Sequence, residues 1–65
     1  MKDETLIKAA NHWFWKRKLR KINIQYHHHR FADEDGRRVL IVKMDALHYK
    51  FWFDKENILR SESYV

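Results

Sequence analysis

The chain contains no cysteine, no proline and a single glycine, Gly36, in 65 residues. Without cysteine there is no disulfide, no thiol nucleophile and no thiolate metal site, and such a composition suits a reducing compartment; a cytoplasmic location is expected. The single glycine also excludes a glycine-rich phosphate loop. Long apolar runs are missing too. The longest is Val39-Leu40-Ile41-Val42, against the roughly 20 residues a membrane-spanning helix needs. The opening Met-Lys-Asp-Glu-Thr holds no apolar stretch of the kind a secretion signal requires. A chain this short leaves no room for a nucleotide fold, a closed barrel or a two-domain cleft, so residues 1–65 are expected to form one small domain.

Aromatic residues stand in for the missing staples. Three Trp, three Tyr and four Phe make up 15% of the chain, and rings of that size can dominate a small core. With 45% hydrophobic and 35% charged residues the composition is that of a folded protein rather than a disordered one. A core this thin is open to support from a partner or from a homodimer contact.

The net charge of +5 is unevenly placed. Residues 1–31 carry eight basic side chains against Asp3 and Glu4, whereas residues 32–65 carry six basic against seven acidic, and no carboxylate occurs from Thr5 to Phe31. A pI near 9.8 with a one-sided basic region is the electrostatic footprint of a polyanion binder. Its densest part is Lys16, Arg17, Lys18, Arg20 and Lys21, which follow the aromatic run Trp13-Phe14-Trp15. On nucleic acid these cations would release counterions and confer a salt-dependent affinity. A membrane surface is not expected as the partner, because Trp13 and Phe14 share the stripe that a helix would bury.

That stripe is Leu6, Ile7, Ala10, Trp13 and Phe14, spaced as one face of an amphipathic helix. It fails after Phe14, so the regular face should end near residue 15, with Lys16–Lys21 a frayed last turn or connection. From Ile22 the period changes to two, and Ile22, Ile24, Tyr26 and His28 alternate with polar neighbours as in a strand. Arg38–Met44 and Leu47–Phe53 read as two further strands. A five-residue loop at Ala32–Gly36 and a two-residue turn at Asp45-Ala46 would place Tyr26, Val42 and Tyr49 on one face. Ala46 is a poor residue for the positive φ of such a turn. Asp54 reads as the N-cap of a short C-terminal helix carrying Ile58 and Leu59. The expected fold is therefore α+β: an N-terminal amphipathic helix packed on a three-stranded antiparallel β-meander, then a short C-terminal helix (α-β-β-β-α).

In that register the face away from the helix carries Gln25, His27 and His29, then Val39, Ile41 and Lys43, then His48, Lys50 and Trp52. An open sheet with flat rings and cations can stack unpaired bases while lysines follow phosphate. Trp52 would be the stacking platform, His27 or His29 a second ring, and Lys43 and Lys50 the phosphate contacts. The competing expectation is that Val39, Ile41 and Trp52 form a second small core or a protein contact.

His27-His28-His29 cannot converge three ligands from one strand, and a structural zinc site needs four, so no metal is expected. Asp33-Glu34-Asp35 lacks the repeating ligand spacing of a calcium loop. No second acid–base group stands at a readable spacing from a histidine, so neither enzyme activity nor a cofactor is expected. His28-His29-Arg30-Phe31, Leu6-Ile7-Lys8 and Trp13 are similar to short segments of the HicA-type RNA-cleaving toxins, whose fold is double-stranded-RNA-binding-like. The resemblance would imply a histidine-dependent ribonuclease. It covers only these segments, the family's turn glycines are absent, and residues 43–65 show no likeness, so no family is assigned.

Two functions remain. The first is a small basic, regulatory nucleic-acid-binding protein, for DNA or RNA. The second is a modulator or inhibitor of the kind mobile elements encode. It would dock its sheet face or an edge strand on a larger, nucleic-acid-processing protein complex.

Overall fold

The structure, a computed structural model, describes residues 2–65. Helix α1 spans Lys2–Lys18, a 3-10 turn covers Ile24–Tyr26, and four strands follow: β1 His28–Glu34, β2 Arg37–Met44, β3 Leu47–Phe53 and β4 Leu59–Tyr64. The strands form one antiparallel meander in the order β1-β2-β3-β4. This corrects the α-β-β-β-α expectation, since the sheet has four strands and no helix ends the described chain. No helix among the described residues is long and apolar enough to cross a membrane.

Helix α1 buries the predicted stripe of Leu6, Ile7, Ala10, Trp13 and Phe14. Its first turn carries Asp3 and Glu4 and its last turn Lys16, Arg17 and Lys18, so both ends complement the helix dipole. The helix runs on to Lys18 rather than fraying after residue 15. It stops because Leu19 adopts a left-handed φ of 55°, with Arg20 N–H reaching back to Phe14 O. The stripe packs on the sheet face formed by Leu40, Val42, Met44, Tyr49, Phe51 and Phe53. Trp13 meets Phe14 and Phe51 edge-on, with ring centroids 5.1 and 5.3 Å apart, a geometry that favours rings beyond simple burial.

The β2–β3 pairing is the predicted one, with Met44 opposite Leu47, Val42 opposite Tyr49 and Leu40 opposite Phe51. Asp45 and Ala46 both adopt positive φ, 52° and 66°, as a two-residue type I′ turn demands. The β1–β2 pairing differs from expectation. Asp35 and Gly36 are also a two-residue turn, with φ of 52° and 72°, so Phe31 faces Leu40 and His29 faces Val42. The shift is odd in residues and therefore exchanges the two faces of β1. Ile22–His27 is not strand. Asn11 Oδ1 accepts from Ile24 N–H at 2.9 Å, pinning the 3-10 turn to the helix with Ile24 buried in the core. Tyr26, expected in that core, is 86% exposed.

Asp54 explains the missing helix. Its Oδ1 accepts from Glu56 N–H at 2.9 Å, as an N-cap would, and also from Ile58 N–H at 3.0 Å. Asn57 then turns to a φ of 64° and its N–H returns to Asp54 O. The result is a hairpin turn with a left-handed residue rather than a first helical turn. A register shift at Trp52/Phe53 lets β4 pair with β3.

Candidate nucleic-acid interface

Strand alternation and the observed register define the sheet face away from the helix. It carries His28, Arg30, Ala32 and Glu34 from β1, Val39, Ile41 and Lys43 from β2, and His48, Lys50 and Trp52 from β3. His27 and His29 are not on it. His27 precedes β1, and His29 lies on the helix-side face, where its Nδ1 is 2.8 Å from His27 O and its ring meets Phe31 edge-on. The face also carries a carboxylate, since Glu34 projects there and its Oε2 lies 2.9 Å from Lys50 Nζ.

Half of the outer face is therefore engaged within the molecule. Lys50 Nζ also stands 5.2 Å from the centre of the Trp52 ring, a cation–π distance. Trp52 is directly opposite Val39, which is fully buried although it lies outside the main core. Glu34, Lys50, Trp52 and Val39 thus make a small second cluster, so neither Lys50 nor Trp52 is an uncommitted contact. The other half holds His28, Arg30, Lys43 and His48 around Ile41, in a shallow depression of about 230 Å³. Arg30 and Lys43 make no ion pair with any described residue.

The basic run divides in the same way. Arg20 is paired with Asp45, whose hydrogen bond and then charge raise the guanidinium pKa. Lys18 Nζ lies 4.6 Å over Tyr64 and Lys21 Nζ 5.5 Å over Trp15. Lys16 and Arg17 have neither kind of contact among the described residues. The Arg20–Asp45 pair brings the helix C-terminus to the β2–β3 turn, the end of the sheet that also holds His28, Lys43 and His48. Trp15, 48% exposed, and Tyr26 sit near that end.

Sequence reasoning missed His28, Arg30, Trp15 and Tyr26 as surface groups. The signal was present for β1, since Asp35-Gly36 is a strong two-residue hairpin dipeptide and would have turned His28 and Arg30 outward. No group of three or more His, Asp or Glu side chains that could hold a metal ion occurs among the described residues. No protein-family model matches the chain, and neither a curated protein nor a solved structure matches it.

Proposed function

We propose that the protein binds nucleic acid through the end of the molecule formed by the helix C-terminus and the β2–β3 turn. The observation that carries this reading is the sorting of charge. Seven of the nine carboxylates lie at the opposite end, in the helix N-terminus and the β1–β2 and β3–β4 turns. Lys16 and Arg17 stand in the last turn of the helix, and Arg30 and Lys43 lie on the outer face, all four without an ion pair among the described residues. Tyr26 supplies an accessible ring for an unpaired base, and Trp15, half-exposed with Lys21 over its ring, a second. These two replace Trp52 as the stacking groups. A cytoplasmic location, in keeping with a cysteine-free chain, is part of the same proposal.

The test is titration of fluorescent single- and double-stranded DNA and RNA oligomers at two salt concentrations. Tight binding that weakens steeply with salt is the expected result. Absence of binding at low salt overturns it and favours a protein partner. That second reading has one observation in its favour, the open outer edge of β4, five of whose six residues are exposed.

A further inference from the structure

His28, Lys43 and His48 stand directly opposite one another on three adjacent strands, His28 facing Lys43 and Lys43 facing His48. All three point to the outer face, where direct cross-strand neighbours have their Cβ atoms about 4.5–5.5 Å apart. Arg30 lies two residues along β1 on the same side, and Ile41 forms the floor between. Like charges in direct register oppose folding, yet no Asp or Glu side chain lines this depression. Elsewhere in the same sheet such compensation exists, as Glu34 serves Lys50 and Asp33 serves Arg38. On the adjoining elements, Asp45 in the β2–β3 turn pairs with Arg20, and Glu34 on β1 pairs with Lys50. Just beyond β4, Val65 pairs with His48 through N–H···O bonds of 3.0 Å in both directions, which places its apolar side chain on the same face.

We propose that this depression is an oxyanion site for one phosphate group, gripped by Arg30 and Lys43 and strengthened by protonation of His28 and His48. The proposal deepens the nucleic-acid reading and takes its ligand, a backbone phosphodiester, from it. A guanidinium offers paired N–H donors and an ammonium a point charge, the two complementary ways of holding phosphate. Imidazole is the side chain whose charge changes between pH 5 and 8. Ammonium and guanidinium side chains do not change charge over that range, and Lys50 is paired with Glu34 and Arg20 with Asp45. The two imidazoles are thus the groups whose charge sets the pH dependence. Binding of an anion that favours the protonated rings must strengthen as pH falls, and by linkage the bound anion must raise the protonation midpoint of both rings.

The experiment follows the imidazole ring protons of all five histidines by NMR during titration with sulfate, and separately with a dinucleoside monophosphate. Both probes hold a constant charge from pH 6 to 8. His12, His27 and His29 serve as internal controls. The expected result is a selective shift of His28 and His48, about fivefold or more tighter binding at pH 6 than at pH 8, and loss of both effects in K43Q. Lys43 is exposed, so K43Q should keep the wild-type Tm. Equal movement of all five histidines, or equal affinity at the two pH values, overturns the site. Sulfate binding without dinucleotide binding supports the site but makes a free oxyanion its ligand. Oligonucleotide binding that perturbs Lys16 and Arg17 while His28 and His48 stay unmoved overturns the site and leaves the nucleic-acid reading standing.

Discussion

Among the described residues, five other than glycine adopt left-handed backbone: Leu19, Asp35, Asp45, Ala46 and Asn57. Asp and Asn tolerate this conformation, whereas a residue such as Leu or Ala is disfavoured in it by about 1–2 kcal/mol. Leu19 is 81% exposed, so its side chain contributes little packing to set against the strain. Leu19→Gly and Ala46→Gly should each stabilise the protein by up to about 1 kcal/mol, the strain relief being partly offset by the greater freedom of glycine when unfolded. Chemical denaturation with an unchanged slope checks both. A fall in the midpoint would mean that the native turn depends on the side chain.

Asp54 makes a pH prediction at the same scale. The Ile58 N–H bond, and after it the Arg60 guanidinium, hold its carboxyl below the usual carboxylate range. A carboxyl with a lowered pKa in the folded state stabilises above its unfolded pKa, and that contribution disappears as pH falls through the folded value. The β3–β4 turn should therefore hold at neutral pH and loosen below about pH 4. Amide exchange at Glu56 and Ile58 is the readout. Protection that persists unchanged to the lowest pH would show that the carboxylate does not secure the turn.

Among the elements, the turns decide which face each strand presents. The two-residue turn at Asp35-Gly36 places Phe31 toward the helix and leaves Tyr26 outside the sheet altogether. The consequence separates two aromatic truncations. Phe51→Ala should cost about 3–5 kcal/mol, since the ring is fully buried between Trp13, Phe14 and Tyr49. Tyr26→Ala should change stability by no more than about 0.5 kcal/mol while weakening single-strand binding. Thermal unfolding of the two variants distinguishes them, and a large loss in Tyr26→Ala would restore the alternative pairing of β1.

For the whole molecule, the governing feature is a charge gradient along the strands. It arises because two hairpin turns and the helix N-terminus, all acidic, meet at one end, whereas the helix C-terminus meets the β2–β3 turn at the other. Replacing Lys16 and Arg17 together by Gln should weaken oligonucleotide binding, and the log–log salt slope should fall by about 2, one per lost phosphate contact. The Tm should not move, because neither cation has a partner among the described residues. Unchanged affinity would move the interface away from the helix terminus.

Local patterning was sufficient for the helix stripe, for strands β2 and β3, and for their mutual register. Periodicity follows from backbone geometry within a segment, and a two-residue turn transmits it to the next strand. The aromatic core residues Trp13, Phe14, Tyr49, Phe51 and Phe53 were legible on that basis. Tertiary structure alone decided the rest. Asp54 carries the same capping chemistry into a helix or a hairpin, and the pairing available on the free edge of β3 selects the hairpin. Which cations are free was equally hidden, because their partners lie far away along the chain, as Asp45 does from Arg20, 25 residues apart. Composition determined that the chain is basic; only the folded arrangement determined that Arg20 and Lys50 are held in ion pairs while Lys16, Arg17, Arg30 and Lys43 are among the cations with none among the described residues.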